Sequence, residues 1–203
     1  DKQGTVLFSR GGAGGEDGVG GAPVAFLDAL ALGPYHGCLL SGGNMVCWGD
    51  NVSGALGLGD QMDRNVPTRV DAGADWVEVA VGERHTCGLR RGGSLWCWGY
   101  NGYGQLGYGD TTSRGASASD MGDNLAFVDL GTGRTAVDIV AGLYSTCALL
   151  NDTATDSNVK CWGRNDTGQL GYGDTTDRGG GANQMGTNLA AVNLGSVSGT
   201  AIK

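Results

Sequence analysis

Proline, histidine and basic residues are scarce in this chain, and each scarcity closes off a class of function. Only 3 of 203 residues are proline, too few for a polyproline linker or a collagen-like rod. Lysine and arginine number 13 against 21 aspartates and glutamates, a net charge of −8, and the basic residues form no cluster. A nucleic-acid surface needs a basic stripe, so no nucleic-acid partner is expected, and the same acidity disfavours an anionic membrane. No apolar run approaches the roughly 20 residues of a transmembrane helix, so no membrane insertion is expected. The two histidines, His36 and His85, belong to no His-Glu-x-x-His pair and no Ser-His-Asp set. Cys-x-x-Cys spacing is missing, which argues against zinc. The Gly-rich tract from Gly11 to Gly21 lacks the Gly-x-x-x-x-Gly-Lys-[Ser/Thr] of a phosphate loop. The expectation is a non-enzyme with no metal and no cofactor. With neither an initiator Met nor a signal peptide, the chain is read as mature or excised from a longer one.

What is abundant is glycine, at 41 residues, and it recurs in register with Trp, Cys and Leu rather than every third residue. That pattern marks turn positions needing positive φ. The stretch from Cys97 to Asp110, CWGYNGYGQLGYGD, has ungapped counterparts from Cys47 to Asp60 (CWGDNVSGALGLGD) and from Cys161 to Asp174 (CWGRNDTGQLGYGD). Upstream of each lies a matching block: His36-Gly37-Cys38-Leu39-Leu40, His85-Thr86-Cys87-Gly88-Leu89 and Ser145-Thr146-Cys147-Ala148-Leu149. Downstream, Met121–Ala126 matches Met185–Ala190, and Thr200-Ala201-Ile202 mirrors Thr135-Ala136-Val137. Internal repetition at this period means a repeat architecture. We divide the chain into a strand remnant (Val6-Leu7-Phe8) and loop at 1–25, repeats at 26–75, 76–135 and 136–199, and the start of a fourth at 200–203.

Each repeat holds short apolar segments of strand length bounded by glycine. The first gives Phe26–Leu32, His36–Leu40, Met45–Gly49 and Pro67–Asp71. The second gives Trp76–Val81, His85–Arg90, Ser94–Gly99 and Phe127–Leu130. The third gives Val137–Ala141, Ser145–Leu150, Asn158–Gly163 and Ala190–Leu194. Four short strands per repeat are the pattern of a β-propeller blade, buried on both faces by its neighbours. Burial on both faces explains the unbroken apolar run Leu95-Trp96-Cys97-Trp98.

The His/Ser-x-Cys-x-Leu strand and the Cys-Trp-Gly-x-Asn-x-x-Gly-x-Leu-Gly-x-Gly-Asp segment resemble RCC1 (regulator of chromosome condensation) repeats over about residues 26–203. The resemblance implies an all-β fold in which about three four-stranded blades form part of a seven-bladed ring. It also implies alternative activities. The founding member promotes nucleotide exchange on a small GTPase while holding chromatin, and no exchange residues are carried over to this acidic chain. A light-sensing branch uses Gly-Trp-Arg-His-Thr motifs. Here Gly82-Glu83-Arg84-His85-Thr86 has Glu83 in place of the Trp, and Gly33–Gly37 and Gly142–Thr146 depart further. A secreted bacterial inhibitor in the family works by surface binding alone.

The cysteines fall one pair per repeat. A two-residue turn at Gly42-Gly43 sets Ser41 opposite Asn44 and, counting outward, Cys38 opposite Cys47 on a closely spaced pair. A three-residue turn at Arg91–Gly93 sets Cys87 opposite Cys97. Across the longer Asn151–Ser157 turn, Cys147 can face Cys161. Three disulfides within repeats are expected, with six reduced core cysteines as the alternative. Disulfides imply an oxidising, extracellular or cell-surface setting.

Asn51, Asn151 and Asn165 open N-glycosylation sequons, but a turn Asn reads the same way at the repeat position of Asn51 and Asn165. His36 and His85 share a position filled by Ser145 in the third repeat, so they are structural hydrogen-bonding residues rather than catalysts. Trp48, Trp98 and Trp162 are structural repeat positions. Asp60, Asp110 and Asp174 are turn caps rather than calcium ligands. The functional expectation is a non-catalytic scaffold binding an unknown protein through variable loops such as Ser113–Asp120, Asp177–Gln184 and Asn151–Ser157. The alternatives are guanine-nucleotide exchange and carbohydrate binding through exposed Tyr103, Tyr108 and Tyr172. Self-association through open blade faces is expected of the chain alone.

Overall fold

The computed structural model describes residues 27–70, 75–151 and 158–195. Residues 1–26, the 152–157 turn and the start of a fourth repeat lie outside these. Three antiparallel sheets follow one another along the chain. The first is β1 (Ala29–Leu32), β2 (His36–Ser41), β3 (Asn44–Gly49) and β4 (Arg64–Arg69), paired in that order. The second is β5 (Trp76–Val81), β6 (His85–Arg90) and β7 (Leu95–Gly99), and the third is β8 (Ala136–Ala141), β9 (Ser145–Leu150) and β10 (Val159–Gly163). Among the described residues the only helical segments are single 3-10 turns at Ala118–Asp120, Gly122–Asn124 and Gly186–Asn188.

The hairpins close as the glycines require. Gly42 and Gly43 take φ of +56° and +76°, which matches a two-residue turn to the strand twist and sets Ser41 opposite Asn44. Cys38 then faces Cys47, Cys87 faces Cys97 and Cys147 faces Cys161, and each pair is joined as a disulfide.

The core lies between sheets. Leu40, Met45, Leu56, Trp76, Val79 and Trp98 pack together between the first and second. Leu89, Leu95, Leu106, Ile139, Leu150 and Trp162 do so between the second and third. Each fully buried Leu contributes about 1.5–3 kcal/mol, and most need a neighbouring repeat to be buried at all.

The expected fourth strand is regular only in the first sheet, where β4 begins three residues ahead of Pro67 and carries that proline on the sheet edge. In the other two, the segments at Phe127–Leu130 and Ala190–Leu194 run alongside outside any regular strand, bonded through Val128 N–H to Leu95 O (2.7 Å) and Val192 N–H to Val159 O (2.8 Å). A tyrosine hydroxyl explains the difference. Tyr108 Oη accepts from Cys97 N–H at 3.2 Å and lies 3.0 Å from Cys97 O and 2.9 Å from Ala126 O. Tyr172 repeats this with Cys161 and Ala190. The hydroxyl occupies the place of the partner strand's peptide groups. Leu58 stands at this position in the first repeat, and there Cys47 pairs directly with Thr68.

Candidate recognition surface

Successive repeats are locked by one hydrogen-bonded unit, built twice. Thr86 Oγ1 donates to Ala55 O (2.8 Å), Trp98 Nε1 donates to the same carbonyl (3.0 Å), and His36 Nε2 lies 2.7 Å from the Thr86 hydroxyl. One repeat later, Thr146 (2.9 Å) and Trp162 (3.0 Å) donate to Gln105 O, with His85 Nε2 3.1 Å from Thr146 Oγ1. A hydroxyl has one proton, and the carbonyl takes it. Each histidine must therefore donate from Nε2, which fixes the neutral tautomer carrying that proton. Burial pushes His36 down to about 4 and, with help from the charge of His36, His85 down to about 3. Both histidines are buried between repeats. Trp98 and Trp162 are buried at the same locks, whereas Trp48 is half-buried.

The turn that follows is equally regular. Asn51, Asn101 and Asn165 are buried; each donates from Nδ2 to the backbone carbonyl of Asp60, Asp110 or Asp174 and accepts from the N–H of Leu56, Leu106 or Leu170. The aspartates accept from the backbone two residues on and pair with Arg64, Arg114 and Arg178 at 2.6–2.7 Å. Those guanidiniums hold the three carboxyls below the usual range. The carboxylates that could have bound calcium are thus each paired with an arginine. The Asn51 and Asn165 side chains are buried, with their amides engaged in the turn. Asn151 is exposed, and its side-chain oxygen accepts from Thr135 N–H.

The tyrosines of the carbohydrate reading divide. Tyr108 and Tyr172 are half-buried wedges, each with an arginine 4.2 Å above its ring, so neither offers a free face. Burial pushes the Tyr108 hydroxyl up to about 12. Tyr103 belongs to a different assembly. Within two of the variable loops, Gly115 and Gly179 abut Gly54 and Gly104 of the preceding repeat, with no space for a Cβ at either contact, while Ser117–Ser119 and Ala182–Asn183 are exposed.

The surface that varies lies on the rim before β2, β6 and β9. Asp50, Tyr100 and Arg164 donate their N–H groups to Tyr35, Arg84 and Tyr144 carbonyls at 3.0, 2.8 and 2.9 Å. Each repeat therefore presents the same three positions on the same backbone, filled by Pro34, Tyr35 and Asp50, then Glu83, Arg84 and Tyr100, then Leu143, Tyr144 and Arg164. Their side chains meet across repeats. The rings of Tyr100, Tyr103 and Tyr144 contact one another pairwise at 5.2–6.2 Å, and Arg164 lies over Tyr103 (5.2 Å) and Tyr144 (5.8 Å). Glu83 accepts from the Tyr144 hydroxyl and pushes it up to about 12. Arg84 lies 5.1 Å over the ring of Tyr35, which is 50% exposed, as is Leu143 at 48%. Gly102 lets Tyr100 fold over this cluster, since a Cβ there would stand 2.0 Å from its hydroxyl. Sequence reasoning missed Tyr35, Tyr100, Tyr144 and Arg164. The signal was available as the columns of the repeat alignment that change chemistry from copy to copy.

Two family models described as the regulator of chromosome condensation (RCC1) repeat match residues 43–89 and 76–105. The chain belongs to the RCC1 repeat family. It is 34% identical over 159 residues to the ultraviolet-B receptor UVR8 of Arabidopsis thaliana, covering 77% of this chain and 34% of that protein. Among solved structures it is similar to yeast RCC1 (Prp20) bound to Kap60, with a TM-score of 0.55 at 22% identity, and to Prp20p from Saccharomyces cerevisiae, with 0.52 at 24%. Each match covers 75% of this chain, and 33% and 34% of the respective yeast chains. This RCC1-repeat chain thus spans about a third of the length of these relatives, and its three sheets are blades of an RCC1-type β-propeller.

Proposed function

We propose that this RCC1-repeat chain is a non-catalytic recognition scaffold that binds a protein through the Tyr35–Arg84–Tyr144 rim, outside the cell or at its surface. The observation that carries the reading is the tyrosine cluster of three rings under Arg164, set on backbone positions identical between repeats while their side chains differ. Tyrosine and arginine bring large contact area and directed polar groups at low conformational cost, which is why they dominate interface hot spots. Three disulfides support an oxidising setting. Among the described residues no helix is long and apolar enough to cross a membrane.

The test compares affinity capture from extracellular material by the wild-type chain, by Tyr103→Ser/Tyr144→Ser, and by a control altered at exposed residues on and just before β4, Met62→Ser/Val66→Ser. A protein retained by wild type and control but lost with the rim variant supports the reading. Recovery that ignores the rim variant overturns it. The exchange reading rests on shared fold alone, and accelerated nucleotide release from a small GTPase would be its distinguishing result.

A further inference from the structure

A cavity of about 530 Å³ opens beside the third sheet, between the turn at Gly131–Arg134 and the segment 187–193. Its volume is in the range of small-molecule sites. Lys160 reaches it from β10. This residue is 1% exposed, and its ammonium donates to Leu130 O (3.0 Å) and Gly186 O (2.6 Å). An ammonium has three N–H donors, so the two carbonyls leave one over. Arg134 also lines the cavity, with the hydroxyls of Thr132 and Thr187 and the amide of Asn193. The remaining wall is apolar and includes Ala191 and Val192.

Packing does not require a lysine at this position. The equivalent residue is Trp96 in the second repeat and Val46 in the first, and both fill the place without a charge. Burying an ammonium costs several kcal/mol unless it is well paired, and its protein partners here are two neutral carbonyls. Burial and the neighbouring charge of Arg134 push the Lys160 proton affinity down, with Asp129 opposing them. An anion in the cavity would relieve both effects. On a chain of net charge −8, Lys160 and Arg134 bring two cations to the lining of one open-mouthed cavity beside hydroxyl donors.

We propose that this cavity binds a small organic anion, its phosphate or carboxylate head held by Lys160, Arg134 and the threonine hydroxyls and its short apolar body lying on Ala191 and Val192. The site is separate from the rim and does not depend on the recognition reading.

The experiment uses the whole 203-residue chain with four probes: hexyl phosphate, hexanoate, inorganic phosphate and hexyltrimethylammonium. Binding is followed by calorimetry and by amide shifts in the NMR spectrum. At least one hexyl anion is expected to bind more tightly than inorganic phosphate, with shifts confined to residues 130–134 and 186–193, and the cationic analogue is expected not to bind. Which hexyl anion binds better identifies the head group. Lys160→Met and Arg134→Gln are each expected to weaken binding about tenfold or more, as for the loss of a charged hydrogen bond. Should Lys160→Met fail to fold, Arg134→Gln decides alone, because that side chain is only half-buried. Absence of binding by both hexyl anions into the millimolar range, shifts elsewhere in the chain, or unchanged affinity in Arg134→Gln overturns the proposal.

Discussion

The stability of the chain is expected to peak near pH 6.5 and to fall on both sides, for reasons that lie in two buried histidines and one half-buried glutamate. His36 and His85 hold folded values of about 4 and about 3 against an ordinary 6.5. The unfolded chain therefore takes up their protons first. The stability they contribute is complete above pH 6.5 and is lost as pH falls through 6.5 toward those folded values. Glu78 on β5 works in the opposite sense. Burial, followed by its hydrogen bond to Asp138 on the neighbouring strand β8, pushes it up from 4.5 to about 8. Here the folded chain holds the proton longer. The stability Glu78 contributes is complete below pH 4.5 and is lost as pH rises toward 8.

Each net proton changes stability by about 1.4 kcal/mol per pH unit. Between pH 4.5 and 6.5 two histidines oppose one glutamate, a net gain on the order of 3 kcal/mol as pH rises. From pH 6.5 to 8 Glu78 acts alone, and the loss is at most about 2 kcal/mol, reduced by solvent around the exposed Asp138. Urea denaturation followed by tryptophan fluorescence across this range, without reductant, measures the profile. Glu78→Gln is expected to flatten the alkaline limb and to steepen the rise between pH 4.5 and 6.5, where the glutamate no longer opposes the histidines. A flat acid limb, or an alkaline fall that survives Glu78→Gln, would falsify the assignment of these groups.

Three further outcomes follow from the locks and the blade edges. Thr86→Val removes the hydroxyl between His36 and Ala55 O; it is expected to cost about 1–3 kcal/mol by leaving both without that partner, read from the urea midpoint, and a change under 0.5 kcal/mol would count against the lock. Tyr108→Phe is expected to speed hydrogen exchange at the Cys97 amide, whose N–H meets the tyrosine hydroxyl, while leaving Cys47 unaffected; equal protection before and after would sink the wedge account. Val140 on the outward side of β8 is 48% exposed where its counterpart Ala80 is 1% exposed between repeats, so the isolated chain is expected to self-associate in light scattering and Val140→Asp to reduce it; a monodisperse monomer of wild type would contradict this.

The hairpin strands that carry the cysteine pairs were legible because turn length and two-residue periodicity leave one register open. β5, β6 and β9 match the expected bounds, and the cysteine pairing follows from counting outward from Gly42-Gly43. The fourth strand was not legible. Phe127–Leu130 has strand composition, but its hydrogen-bonding partners were taken by a hydroxyl that arrives from Tyr108, some 20 residues earlier in the chain. No periodicity records such a substitution. Asp60 and its counterparts were read as turn residues, yet the arginine four positions on, which makes them ion pairs, went unremarked. Lys160 was invisible for a related reason. A single lysine within an apolar strand gives no hint of which carbonyls it will meet, and those of Leu130 and Gly186 lie 30 and 26 residues away.

The same division separates what this fold must keep from what it is free to change. Thr86, Trp98 and the Ala55 carbonyl, like Thr146, Trp162 and Gln105 O, are buried, mutually bonded and shared between two repeats, so altering one strands the others. Rim positions differ because their backbone bonds, such as Tyr100 N–H to Arg84 O, are made whatever the side chain. Exchanging Asp50 for Tyr100 or Arg164 between copies therefore leaves the blade intact while replacing charge by ring or by the opposite charge. A scaffold whose cohesion runs through buried side chains and whose display positions are held by backbone alone can alter its binding surface one residue at a time. That separation is the physical reason to look for function on the rim rather than at the histidines.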